Sequence, residues 1–239
     1  CHAPIIWESS LIVLDLQDIT LQIGEEPDAQ TLLHEVSLHI PPKQLVAIVG
    51  PSGCGKSTLL KVIAGLSEPT NGSVHWQERD LAEEDLVPSE IGYVPQFSIA
   101  YDFLNVRESI ETALRLRVRG LTADERYEHV EKILQEVGLE EIAERRVRVL
   151  SGGQKRRLAL AMEMVSQPVL LLCDEVTSGL DPKAEQEMVI LMHMLSREND
   201  RIVLSVTHSL RHYLFYDAMV VLYEGCIAYH GPGQFLLHH

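Results

Sequence analysis

The residues best suited to chemistry are Gly50-Pro51-Ser52-Gly53-Cys54-Gly55-Lys56-Ser57-Thr58, which fit the phosphate-cradling pattern G-x-x-x-x-G-K-[ST] without a gap. Gly50, Gly53 and Gly55 permit backbone torsions closed to other residues and bring main-chain N–H groups close to phosphate oxygens. Lys56 adds a mobile positive charge, and the Ser57 hydroxyl suits a Mg²⁺ ligand. A helix starting here aims unpaired N–H groups and its positive dipole end at the anion. The pattern therefore predicts a nucleoside triphosphate site.

Two carboxylates complement it. Val169 to Cys173 is a continuous apolar run that ends in Asp174 and Glu175. In open α/β sheets ligands bind at the carboxyl edge of such strands. One carboxylate there can hold Mg²⁺ through its shell, and the other can orient or deprotonate an attacking water. His208 stands just past another apolar run, Ile202 to Val206, and shares that edge. His208 and His212 are spaced for zinc on one helical turn, but no Glu stands at position 209 and no third ligand is evident. Ser151 and Gln154 form a capping-box pattern behind Leu150, with Gly152 and Gly153 between them. A second helix start is thus supplied with free N–H groups.

The elements that must position these residues follow from periodicity. Leu45 to Val49 reads as a buried strand before the phosphate loop, and Ser57 to Ala64 as a helix stopped at Gly65. Short alternating runs between Leu11 and Ile40, broken by Gly24 to Asp28, predict antiparallel strands joined by a turn. Pro69 to Gly72 reads as a tight turn and Ser73 to Trp76 as an edge strand, followed by an acidic loop, Glu83 to Asp85. Ile91 to Pro95 is a further strand. Phe97, Ile99, Tyr101, Phe103 and Leu104 follow without periodicity, either packed inward or forming a docking patch. Residues from Val106 to Leu150 favour helix throughout, with segments Arg107 to Arg119 and Ala123 to Val137, and read as a helical insertion. The helix from Ser151 runs to Val165. Asp181 is the expected N-cap and Pro182 the first residue of a helix with Met188, Leu191, Met192 and Leu195 on its buried stripe. Met219 to Tyr223 and Cys226 to Tyr229 form a hairpin around Glu224 and Gly225. The fold expected is α/β: a P-loop NTPase core with a mixed, mainly parallel sheet, an antiparallel β subdomain and an inserted helical subdomain of about residues 97–165, all in one domain spanning 1–239.

Bulk properties limit the partners. The 239 residues carry 35 acidic and 20 basic side chains, a net charge of −15, so no nucleic acid partner is expected and any membrane contact must be with protein. No apolar run approaches the roughly 20 residues needed to cross a bilayer, and no signal peptide opens the chain. Cys1, Cys54, Cys173 and Cys226 show no C-x-x-C spacing and read as free thiols of a reducing compartment. The first residue is Cys1 rather than Met, as expected either of an excised domain or of a trimmed chain.

The order of these motifs resembles that of the ATP-binding cassette (ABC) ATPases, from about Leu14 to the C-terminus. Gly50 to Thr58 matches the Walker A loop, Gln96 the Q-loop and Leu150 to Gln154 the signature. Val169 to Glu175 matches Walker B, Ser178 to Asp181 the D-loop and His208 the switch histidine. The resemblance implies ATP and Mg²⁺ as cofactors, with Gly50 to Thr58, Gln96, Ser151, Gly152, Gly153 and Gln154 as nucleotide-binding residues. Ser57, Gln96 and Asp174 are implied to attend to Mg²⁺, Glu175 to act as base toward water, and His208 to hold the γ-phosphate and polarise the site. It further implies a head-to-tail dimer of two cassettes, and transmembrane domains docking through the Gln96 to Leu104 region and the helices that follow. The implied location is the cytoplasmic face of a membrane, peripherally or as part of a membrane protein. The function implied is the ATPase of a transporter.

Two departures stand out. No Phe, Tyr or Trp occurs from Glu8 to His75, where the family usually supplies an aromatic ring to stack on adenine, leaving Ile23 as an apolar substitute. Val176 stands where proline commonly follows Walker B, which should alter the loop without removing the carboxylates. The Asp174 to Pro182 and Leu104 to Arg117 stretches look somewhat like G-type or A-type exporter cassettes. The competing reading, a soluble ABC ATPase clamping a ribosome or DNA, has no second cassette, long coiled coil, zinc motif or basic face to support it. A third, a degenerate regulatory nucleotide binder, conflicts with intact Lys56, Asp174, Glu175 and His208.

Overall fold

The computed structural model describes residues 14–24, 29–84, 86–87, 89–96 and 100–236. Cys1, Glu25 to Asp28 of the expected turn, Asp85 of the acidic loop, and Phe97 and Ile99 of the aromatic cluster lie outside the described residues.

Two sheets organise the described residues. The larger contains β3 (Leu45–Val49), β6 (Ile91–Val94), β7 (Leu170–Asp174), β8 (Ile202–Val206), β9 (Ala218–Tyr223) and β10 (Cys226–Gly231), in the order β10-β9-β3-β8-β7-β6. All neighbours pair in parallel except β10, which folds back antiparallel on β9 as the expected hairpin. The smaller sheet is antiparallel, in the order β2-β1-β4-β5, from β1 (Leu14–Ile23), β2 (Gln30–Ile40), β4 (Asn71–Trp76) and β5 (Arg79–Asp80). The segment expected as an edge strand, Ser73 to Trp76, is an inner strand instead. β4 lies between β1 and the two-residue β5, which carries too few residues to show any hydrophobic pattern.

Strands β3, β7 and β8 are buried on both faces, so they read as continuous apolar runs instead of alternating ones. Their pleat sorts side chains into two cores. Leu45, Ala47, Leu171, Cys173 and Val203 face a layer of helices: α2 (Val106–Arg117), α3 (Ala123–Glu136), α4 (Gly152–Met164) and α5 (Pro182–Ser196). Val46, Ile48, Leu170, Leu172, Ile202 and Leu204 face the antiparallel sheet and α1 (Lys56–Ile63).

The helix expected throughout Val106 to Leu150 is interrupted. Val118 is extended, which ends α2 two residues before the anticipated Arg119, and residues 140–142 and 147–149 form 3-10 turns. Asn105 with Glu108 makes the capping box that opens α2, and Thr122 with Glu125 makes the one that restarts helix at α3. Met188, Leu191, Met192 and Leu195 form the buried stripe of α5, as anticipated. A short helix, α6 (Gly233–Leu236), ends the described chain.

Candidate active site

The parallel strands end together, so their carboxyl edge gathers the loops after β3, β6, β7 and β8. After β3 the chain turns at Gly50, whose φ is +155°, and a Cβ there would lie 2.1 Å from the Leu222 carbonyl oxygen. Only glycine fits so close an approach. Gly55 precedes α1 and has no side chain to cap it, so the first N–H groups of the helix open toward the loop. Pro51, Ser52 and Gly53 are exposed, Ser57 and Thr58 half-buried, and Cys54 is a buried free thiol. Lys56 is buried too, and its ammonium donates to the carbonyls of Gly50 at 3.0 Å and Pro51 at 2.7 Å.

At the end of β7 the Ser57 hydroxyl donates to Asp174 Oδ1 at 2.8 Å. A serine hydroxyl and one carboxylate at a phosphate-binding loop are hard oxygen donors, a set that suits Mg²⁺, which is commonly held by one or two carboxylates together with substrate phosphates. Gln96, beyond β6, donates through Nε2 to Glu175 Oε2 at 2.8 Å, and His208 Nε2 lies 2.9 Å from Glu175 Oε1. Glu175 has φ +53°, a left-handed torsion that turns its side chain off the line of β7. Its carboxylate is thus bracketed by an amide and an imidazole, while its N–H bonds the Val206 carbonyl on β8. Val176, the departure after the carboxylates, is buried in the core.

Ser151 and Gln154 make the reciprocal capping box read from the sequence: Gln154 N–H donates to Ser151 Oγ and Ser151 N–H to Gln154 Oε1. Ser151 and Gly152 are exposed, and Gly153 packs close to Ala184 on α5. Among the described residues, no hydrogen bond joins Ser151 to Gln154 with the phosphate loop, Asp174 or Glu175. The sequence-derived set thus divides in two: residues 50–58, 96, 174, 175 and 208 converge, and residues 151–154 stand apart, with the Gly152 and Gly153 N–H groups left outside the capping box.

Several participants were not anticipated. Tyr93 donates its phenol to Asp174 Oδ2 at 3.2 Å, and burial and the Asp174 charge push its proton affinity well up, keeping it a donor. Burial of Arg156, on α4, lowers the guanidinium's affinity for its proton, against the longer-range attraction of the Glu175 charge. Thr177 and Thr207 share a buried hydroxyl contact of 3.3 Å that ties the loop after β7 to the loop after β8. Position next to a motif was the only available signal for these groups.

Tyr101 and Phe103 are 72% and 77% exposed, and Leu104 is half-buried, so the described part of the aromatic cluster faces outward. Tyr101 and Leu104 line a mainly apolar cleft of about 250 Å³ with Leu116 and Met162. Ile23 is 55% exposed at the end of β1.

A family model described as ABC transporter matches residues 33–178, more than half of the chain. The chain is 37% identical over 214 residues to the ATP-binding/permease protein Rv1747 of Mycobacterium tuberculosis, with 89% of this chain aligned, and it spans 24% of that relative's length. It is 35% identical to the taurine import ATP-binding protein TauB of Pseudomonas aeruginosa, over 89% of this chain and 79% of TauB. Among solved structures, the ATP-binding cassette MJ0796, a dimer in a post-hydrolysis state bound to ADP and Pi, aligns with a TM-score of 0.80 and 29% identity. That alignment covers 92% of this chain and 98% of the other.

Proposed function

The chain belongs to the ABC transporter family, and from that premise we propose that it binds ATP with Mg²⁺, hydrolyses it, and uses the cycle to drive a membrane transporter. The observation that carries the reading is the bracketed Glu175 carboxylate beside the Ser57–Asp174 pair, at the mouth of an intact phosphate loop. In this reading residues 50–58 grip the phosphates through main-chain N–H groups and Lys56. Ser57, Asp174 and Gln96 hold the metal, which when bound neutralises charge on the β- and γ-phosphates. Glu175 accepts a proton from the attacking water as its oxygen bonds the γ-phosphorus and the bond to the ADP oxygen breaks, releasing ADP and phosphate. His208, 2.9 Å from Glu175, orients the carboxylate and donates toward the γ-phosphate.

The Gly152 and Gly153 N–H groups lie outside the Ser151–Gln154 capping box at the start of α4, which supports a site completed by a second cassette placed head to tail. These donors and the helix dipole then meet the γ-phosphate bound by the partner, so hydrolysis removes the ligand joining the two copies. The dimeric MJ0796 cassette supports this assembly. The whole chain acts as one ATPase unit, with residues 97–165 as a helical subdomain, and the Gln96 to Leu104 region, with Tyr101 and Phe103 exposed, takes the transmembrane domains. In this reading the chain works at the cytoplasmic face of a membrane, peripherally or as a domain of a membrane protein. The joined ATP-binding and permease name of the mycobacterial relative, of which the chain spans 24%, supports membrane helices in the same polypeptide.

The test is phosphate release by the purified chain with ATP and Mg²⁺, alongside light scattering. ATP-dependent dimerisation with Mg²⁺-dependent hydrolysis is expected; ATP binding without any dimer, at any turnover, would remove the shared-site mechanism.

A further inference from the structure

Asp174 is held from two sides, and only one of them belongs to the phosphate-loop pattern. Ser57 donates to Oδ1 at 2.8 Å, and Tyr93 donates to Oδ2 at 3.2 Å from the neighbouring strand β6. Tyr93 is itself fixed at its backbone. Its N–H donates to Glu163 Oε2 at 3.1 Å, and the other Glu163 oxygen accepts from Arg117 Nη2 at 2.6 Å. Glu163 is buried on α4, and Arg117 is the last residue of α2. A continuous run of hydrogen bonds therefore passes from α2 through Glu163, the Tyr93 peptide and its ring to Asp174 and Ser57.

The terminal torsion of an aspartate is broad, so a carboxylate held by one donor can swing about it. A second donor on the other oxygen pins the plane. We propose that Tyr93 is a positioning residue for the metal site: its hydroxyl keeps Asp174 turned with Oδ1 toward Ser57, and so sets the affinity for a divalent cation. The inference rests on the reading of Ser57 and Asp174 as the Mg²⁺ site. Removing an outer partner of a metal-site carboxylate typically weakens metal binding by about ten- to a hundredfold. At 3.2 Å the Tyr93 contact is longer than most O–H···O bonds, so the effect belongs at the low end of that range.

The test compares the wild-type chain with Tyr93→Phe, which keeps the ring and deletes the hydroxyl. Mn²⁺ serves as probe, its free concentration followed by electron paramagnetic resonance during titration in the presence of a non-hydrolysable ATP analogue. Analogue affinity with EDTA and melting temperature are measured beside it. The expected result is an Mn²⁺ Kd raised about tenfold in Tyr93→Phe, with metal-free analogue affinity within twofold of wild type and a melting temperature close to it. Mn²⁺ affinity within twofold of wild type overturns the proposal, and a lowered melting temperature with that unchanged affinity assigns the hydroxyl to packing alone. If the wild-type chain itself takes up no Mn²⁺ with the analogue, the Mg²⁺ reading of Ser57 and Asp174 fails, and the role of Tyr93 falls with it.

Discussion

Replacing Glu175 by glutamine tests the chemistry without disturbing the grip on nucleotide. The substitution keeps side-chain length and exchanges one carboxylate oxygen for an amide NH2. Gln96 Nε2, at 2.8 Å, can still donate to the remaining oxygen, and the new NH2 faces His208 Nε2, which accepts when its proton is on Nδ1. Two hydrogen bonds survive in neutral form. Each loses the difference between a charged and a neutral bond, about 1 kcal/mol, so the variant should fold. The phosphate loop and Lys56 are untouched, and one negative charge leaves the neighbourhood of the γ-phosphate, so ATP affinity should hold or rise. A positioned general base contributes about 10² to 10⁴ in rate, equivalent to about 2.7 to 5.4 kcal/mol of barrier at about 1.36 kcal/mol per decade. Glu175→Gln should therefore turn over ATP at least about a hundredfold more slowly and accumulate as an ATP-bound dimer. Steady-state phosphate release gives the rate, nucleotide titration the affinity, and light scattering the dimer. Turnover within threefold of wild type would show that Glu175 is not the base.

Lys56→Ala should weaken ATP binding at least about tenfold by calorimetry, because charge-assisted bonds are worth about 1.5 to 3 kcal/mol; affinity within threefold of wild type would contradict this. Gly225→Ala should unfold at lower urea than Gly120→Ala. Both glycines have positive φ, +76° and +84°, which costs an alanine about 1 to 2 kcal/mol, but a Cβ at Gly225 would also lie 2.6 Å from the Leu32 carbonyl oxygen whereas Gly120 faces open space. Equal urea midpoints for the two variants would show that the hairpin tip yields freely. Competition binding should show less than about tenfold preference for ATP over GTP, since Ile23 offers apolar contact in place of base stacking worth about 1 to 3 kcal/mol. A hundredfold preference would point to an adenine contact elsewhere.

What could be read from the sequence and what could not differ in range. The parallel strands were legible to within about one residue because burial on both faces writes itself into contiguous apolar residues, as in Ile202 to Val206. The Ser151–Gln154 box and the Asp181 N-cap were legible because both partners lie within one helical turn. The edge strand went wrong where the deciding neighbour, β5, consists only of Arg79 and Asp80. Tyr93, Glu163 and Arg156 stayed hidden for a related reason. Each reads locally as an ordinary strand or helix residue, and each meets its partner from another segment: Tyr93 stands 81 positions from Asp174 in the chain.

Glu224 and Gly225 read as a turn, and they are one, yet the Gly225 N–H bonds the Cys54 carbonyl and its own carbonyl accepts from the His34 N–H. The turn therefore ties the phosphate loop to β2 of the antiparallel sheet, and Leu222, at the end of the strand leading into it, presses its carbonyl oxygen against Gly50. A motif match at residues 50–58 establishes that the loop can adopt a phosphate-binding shape. The residues packed against it stand in β2, in β9 and at the hairpin tip, and no local pattern marks that contact, so a chain that kept every motif residue and lost it could still lose nucleotide.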